Sequence, residues 1–189
     1  MAFKKIILLS CLVSFIEAQV PFLGACPELK TMTDFDPQRY MGKWYEAERY
    51  FSVFEFGGKC VQSNYTDGID NSNIINIISK QTSSLTGARS TVNGAVKKNS
   101  SGNSAQMHMT FPYLPVDAPY WVLETDYDTY SVVWSCTNFG LFSARNAWIL
   151  TRDKNPPLKV MEKAYSVVDR NLISRAFFIR TDQNCPEEF

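Results

Sequence analysis

Short strand-type segments at hairpin spacing, followed by a single helical one, constrain the fold of this chain more than any other feature. Residues 44–51, 61–66, 73–80, 90–96, 106–111, 120–126, 130–136 and 147–152 are each rich in β-branched or aromatic side chains. The segment 106–111 has the clearest pattern. Met107, Met109 and Phe111 alternate there with Gln106, His108 and Thr110, a period of two. Turn signals such as Thr66-Asp67-Gly68, and the polar run 97–104, separate the segments. After Pro156-Pro157 the period changes. Val160, Met161, Ala164, Val167 and Val168 fall on one face, with Lys159, Glu162, Lys163 and Asp169 on the others. That spacing predicts an amphipathic helix of about three turns, opened by the prolines. Residues 176–180 read as a last short strand. With no repeat or linker, the order implies one all-β domain, an antiparallel sandwich or barrel.

Composition narrows the function classes. With 19 basic and 19 acidic residues, the chain has no net field to attract nucleic acid. Lys4 and Lys5 precede the apolar stretch 6–16, so residues 1–18 read as an export signal cut after Ala18, and 19–189 as the mature domain. No later apolar stretch is long enough to span a bilayer, so the mature chain is expected to be soluble and extracellular. Removing Cys11 with the signal leaves Cys26, Cys60, Cys136 and Cys185, an even set that implies disulfides in an exported protein. Spacing alone leaves their pairing open. Two sequons, at Asn64 and Asn99, suit a secreted glycoprotein.

Three motifs carry a resemblance to a known family. They are Gly42-Lys43-Trp44 within Asp36-Pro37-Gln38-Arg39-Tyr40-Met41-Gly42-Lys43-Trp44-Tyr45-Glu46, then Thr125-Asp126-Tyr127, then Arg152 closing Trp148-Ile149-Leu150-Thr151-Arg152. In this order, and over essentially the whole mature chain, they resemble the lipocalin family. Residues 60–66, 118–127 and 181–186 sharpen the resemblance to one branch, in which pigment carriers are also found. The resemblance implies an eight-stranded up-and-down antiparallel β-barrel with one C-terminal helix and a short final strand. It implies that Trp44 plugs the closed end under Arg152, that Gly42 lets the backbone pass close beneath, and that Thr125, Asp126 and Tyr127 form a framework turn. It also implies disulfides Cys26–Cys136 and Cys60–Cys185. Each would close a loop of more than 100 residues, for which chain entropy gives about 4–5 kcal/mol as an upper guide.

The function so implied is a secreted carrier of a small hydrophobic molecule, such as a fatty acid, sterol or retinoid. A bilin or other pigment carrier, and a secreted protective or recognition factor acting through its surface, are the alternatives. A glycan on Asn64 requires that side chain to point outward, which turns Tyr65 inward. By resemblance Tyr65 and Trp148 line the pocket. Parity then adds Asn146 and Leu150 beside Trp148, and Tyr120, Met109 and Phe111 complete the candidate lining. Three open-end connections are rich in apolar residues. They carry Phe51, Phe54 and Phe56, then Phe111, Tyr113 and Leu114, then Phe139, Leu141 and Phe142. Such a rim is expected to dock on a membrane or lipoprotein surface. Catalysis is not expected. His108 is the only histidine and sits on an alternating strand, a Cys60 held in a disulfide offers no thiolate, and no phosphate-binding glycine loop is present. A protective chemistry would run through Met41, Met107, Met109 or Met161.

Overall fold

The computed structural model describes residues 20–51, 57–68, 73–98, 105–112 and 117–185. The expected export signal at 1–18, and Phe54, Phe56, Tyr113, Leu114 and Asn99, lie outside the described residues. Along the chain run β1 (Val20–Leu23), α1 (Pro37–Tyr40), β2 (Gly42–Tyr50), β3 (Gly58–Asp67), β4 (Ile74–Ser83) and β5 (Arg89–Lys98). There follow β6 (Gln106–Thr110), β7 (Ala118–Thr125), β8 (Tyr130–Phe139), β9 (Phe142–Thr151), α2 (Leu158–Arg170), a 3-10 turn (Arg175–Phe177) and β10 (Phe178–Arg180).

Strands β2 to β9 pair antiparallel in chain order, and β9 pairs back onto β2, with Tyr45 opposite Thr151 and Arg49 opposite Trp148. The sheet is therefore a closed eight-stranded barrel. Two further strands lie on its edges: β1 on β9 and β10 on β2. The sequence gives no warning of β1, which is only four residues long. The final strand is shorter than 176–180, because Ser174 caps the 3-10 turn through a hydrogen bond from the Ala176 amide. The 137–142 connection is mostly strand. β8 runs to Phe139 and β9 starts at Phe142, leaving a tight turn in which Gly140 has φ +64°.

Alternation splits the buried side chains into two cores. Inside the barrel lie Trp44, Tyr65, Ile75, Ile77, Val96, Met107, Tyr120, Val122, Val133 and Leu150. Between barrel and helix lie Leu123, Val132, Trp134, Ala147 and Ile149, covered by Ala164, Val167 and Val168 of α2. This double cover explains why 130–136 is buried on both faces rather than reading as an in-out strand.

β2 divides its pairing. Its first half, Gly42–Tyr45, bonds to β3, while Glu48–Tyr50 bonds to β10. The C-terminal segment thus occupies the place that β3 vacates. Gln183 Nε2 donates to the carbonyls of Glu46 (2.9 Å) and Val61 (2.8 Å), bridging the two strands where their own ladder has ended. The Cys60 amide donates to the Asp182 carbonyl (2.7 Å), and the Cys60–Cys185 disulfide locks this strap in place. Cys26–Cys136 ties the segment ahead of α1 to β8.

Candidate functional site

The barrel floor is built around α1. Asp36 caps this short helix by accepting the Gln38 amide (2.9 Å), and Pro37 supplies its first turn. The helix delivers Tyr40 into the barrel, and the chain then turns through Gly42 at φ +92°, a conformation that favours glycine. Trp44 is fully buried, and its Nε1 donates to the Tyr40 carbonyl (2.9 Å). The Arg152 guanidinium lies 3.7 Å from the centre of the indole ring. It also donates to the carbonyls of Lys43 (2.7 Å), Met41 (2.9 Å) and Tyr127 (2.9 Å). A Cβ on Gly42 would sit 3.4 Å from Arg152 Nη1. Asp126 accepts the amides of Thr129 and Tyr130 and holds Lys163 of α2 at 3.4 Å. Burial alone would raise its pKa, but a hydrogen bond from the Thr129 hydroxyl, together with these contacts, outweighs it and brings the carboxyl below its usual range. The three motifs meet here as framework.

Above the indole, four hydroxyls from different elements form a chain. Ser131 Oγ lies 3.0 Å from the Tyr40 hydroxyl, which lies 3.1 Å from that of Tyr120, itself 2.9 Å from that of Tyr65. Burial pushes Tyr40 up to about 12 and also raises Tyr65 and Tyr120 well above the ordinary phenol range. Higher on the inner wall the packing loosens. Trp148 and Met109 are only partly buried against the inner core. Asn146, two residues from Trp148 and opposite Ser135, shares their face, and its Oδ1 is buried without a partner among the described residues. The Phe111 ring lies across Gly94, 2.8 Å from where a Cβ would be. All six candidate lining residues therefore face the interior. Tyr65 and Tyr120 are floor residues bonded to each other, whereas Asn146, Trp148, Met109 and Phe111 retain accessible surface. Tyr40, Ser131 and Gly94 are additions that no local pattern marks.

At the end opposite Trp44, Phe139 (62%), Leu141 (79%) and Phe142 (50%) are exposed, joined by Leu23 (82%) and by Leu85 (80%) in the β4–β5 turn. No local pattern in the sequence marks those last two as part of a rim. His108 is exposed on the outer face, opposite Lys97 and Pro119. Asn64 is also on the outer wall, between Lys43 and Ile78. Met107 is buried, which removes it as a surface redox group.

Comparison with known proteins agrees with this geometry. Residues 35–179 match the family model of the lipocalin-like domain. Apolipoprotein D of Mus musculus is 36% identical over 167 residues, covering 87% of this chain and 86% of that protein. The Lazarillo protein of Schistocerca americana is 29% identical over 162 residues, covering 84% and 75%. Among solved structures, insecticyanin from the tobacco hornworm Manduca sexta superposes with a TM-score of 0.77 at 24% identity, over 89% of this chain and 90% of that one.

Proposed function

The chain belongs to the lipocalin family, and from that membership we propose that it is a secreted, non-catalytic carrier of a small hydrophobic molecule held in the upper half of the barrel. One observation carries the reading: inward-facing residues are sealed at the floor, while Trp148, Asn146, Met109 and Phe111, also inward-facing, stay partly accessible. An apolar wall with a few polar groups is the make-up of a small-ligand site. The unpartnered Asn146 oxygen suits a hydroxyl or a protonated carboxyl, so a sterol, retinol or fatty acid fits better than a charged metabolite. Residues 1–18 act in this reading as a cleaved export signal, and the two disulfides suit an oxidising compartment. Asn64 and Asn99 are the proposed glycan acceptors. The exposed apolar rim is proposed to rest on a membrane or lipoprotein surface during transfer.

The test is a titration of tryptophan fluorescence with a retinoid, a fatty acid, a sterol and a bilin, in the wild type and in Trp148→Phe. Saturable quenching that weakens in the variant is expected. A visible absorbance band on the purified protein would assign a pigment as the cargo instead. No saturable response to any class would remove the carrier reading and leave action through the surface.

A further inference from the structure

A hollow of about 410 Å³ lies on the outside of the barrel, beneath the C-terminal end of α2. The sheet separates it from the inner wall, since Trp134 faces it while Val133 faces the interior. Phe22, Leu29, Tyr50, Trp134 and Ile173 form its apolar surface. Arg145, Arg170 and Lys30 line it too, against one acid, Glu28.

Two of these side chains are incompletely matched. Trp134 is 2% exposed, and its indole N–H is buried with no acceptor among the described residues. A buried donor without a partner is unfavourable, so such a group points to something that accepts from it. Arg145 is fixed by neutral groups: its Nε donates to Ser143 Oγ (3.0 Å) and its Nη2 to the Ala25 carbonyl (2.9 Å), and it stacks over Phe22 at 4.6 Å. Among the described residues it forms no ion pair, whereas Arg170 is joined to Glu124 (2.6 Å). Trp134 pairs with Ala147, and Cys136 with Arg145. Trp134 and Arg145 are therefore diagonal neighbours on the outer face, roughly 7–8 Å apart at the backbone. One carboxylate between them could accept from both.

We propose that this hollow is a second binding site, for an amphiphilic carboxylate such as a fatty-acid anion. The carboxylate accepts hydrogen bonds from Trp134 Nε1 and Arg145, and the hydrocarbon lies over Phe22, Leu29 and Ile173. The volume falls within the usual range for small-ligand sites, about 300–1,000 Å³. This site is independent of the one inside the barrel.

The indole N–H signals of the four tryptophans, assigned by Trp→Phe variants in ¹⁵N-labelled protein with both disulfides formed, report the two sites separately. Titration with dodecanoate is expected to shift the Trp134 signal saturably, whereas dodecanol, which lacks the charge, moves it far less. Arg145→Gln is expected to weaken binding read at Trp134 by about tenfold while leaving the response of Trp148 unchanged. Arg145→Lys, which keeps the charge but loses the planar fork, is the second variant should R145Q fail to fold, and is expected to show an intermediate loss. A Trp134 signal that stays still while that of Trp148 moves would overturn the proposal. So would equal shifts with dodecanoate and dodecanol.

Discussion

Arg152 shows how one side chain serves several elements. Its guanidinium covers the Trp44 indole and collects carbonyls from the end of α1, the start of β2 and the β7–β8 turn. Arg152→Ala is expected to cost about 3 kcal/mol, read from the urea midpoint. Arg152→Lys should recover less than half of that, because an ammonium can neither stack flat on the indole nor fork between carbonyls. The floor tyrosines make a second prediction, in pH. A tyrosine in an unfolded chain titrates near 10, while burial pushes Tyr40, and likewise Tyr50, up to about 12. A raised folded pKa means stability that is fully present below pH 10 and is lost as pH climbs through 12. Alkaline unfolding in that window is expected, and the tyrosinate absorbance that Tyr40 contributes, read as the difference between wild type and Tyr40→Phe, should rise only with it. Tyr40→Phe should make the fall shallower. A Tyr40 contribution that rises below pH 10 with the fold intact would contradict the burial of this phenol.

At the scale of elements, the C-terminal strap is the unusual part of the wall. It fills the gap between β2 and β3 through β10, Gln183 and the Glu46–Arg49–Thr181 cluster, in which Thr181 Oγ1 donates to Glu46 (2.6 Å) and accepts from Arg49 (3.1 Å). Replacing Cys60 and Cys185 together with Ser is expected to lower stability by up to about 4–5 kcal/mol. Hydrogen exchange locates the effect: amides of β10 and of the second half of β2 should lose protection, while Gly42–Tyr45, paired with β3, should keep it. A uniform loss would mean that the strap is no separate unit. On the inner wall, Gly94→Ala would place a Cβ 2.8 Å from the Phe111 ring. We expect it to cost about 1–3 kcal/mol and to weaken quenching of Trp148 by ligand as the ring is pushed inward.

The whole molecule is polarised along the barrel axis. One end is stoppered by Trp44, and the other carries Leu23, Leu85, Phe139, Leu141 and Phe142 in the open. The triple change Phe139→Ser, Leu141→Ser and Phe142→Ser should abolish flotation with phosphatidylcholine vesicles while leaving ligand quenching intact. Unchanged flotation would mean that the rim does not hold the protein to lipid. These three residues were readable as a rim from the sequence, because connections in an up-and-down barrel alternate between its ends. Leu23 was not, since it reaches the rim only through the pairing of β1 with β9.

The amino-acid sequence by itself determined the succession of strand segments, the late helix and the alternation that turns Tyr65 inward when Asn64 faces out, while the stoppered floor and the inward place of Trp148 came from short motifs that resemble a family. Each rests on a local period of two or 3.6, or on a motif within a few residues, and local patterns survive without knowledge of the partner strand. Only the tertiary structure decided which hydroxyls meet. Tyr65 and Tyr120 are 55 residues apart and Tyr40 and Ser131 are 91 apart, so their contact depends on register and stagger around a closed sheet. The same holds for Gln183 bridging Glu46 and Val61, and for the hollow that Trp134 shares with Arg145. Periodicity tells a side chain which face to take, but the neighbour it finds there is set by how distant strands slide past one another.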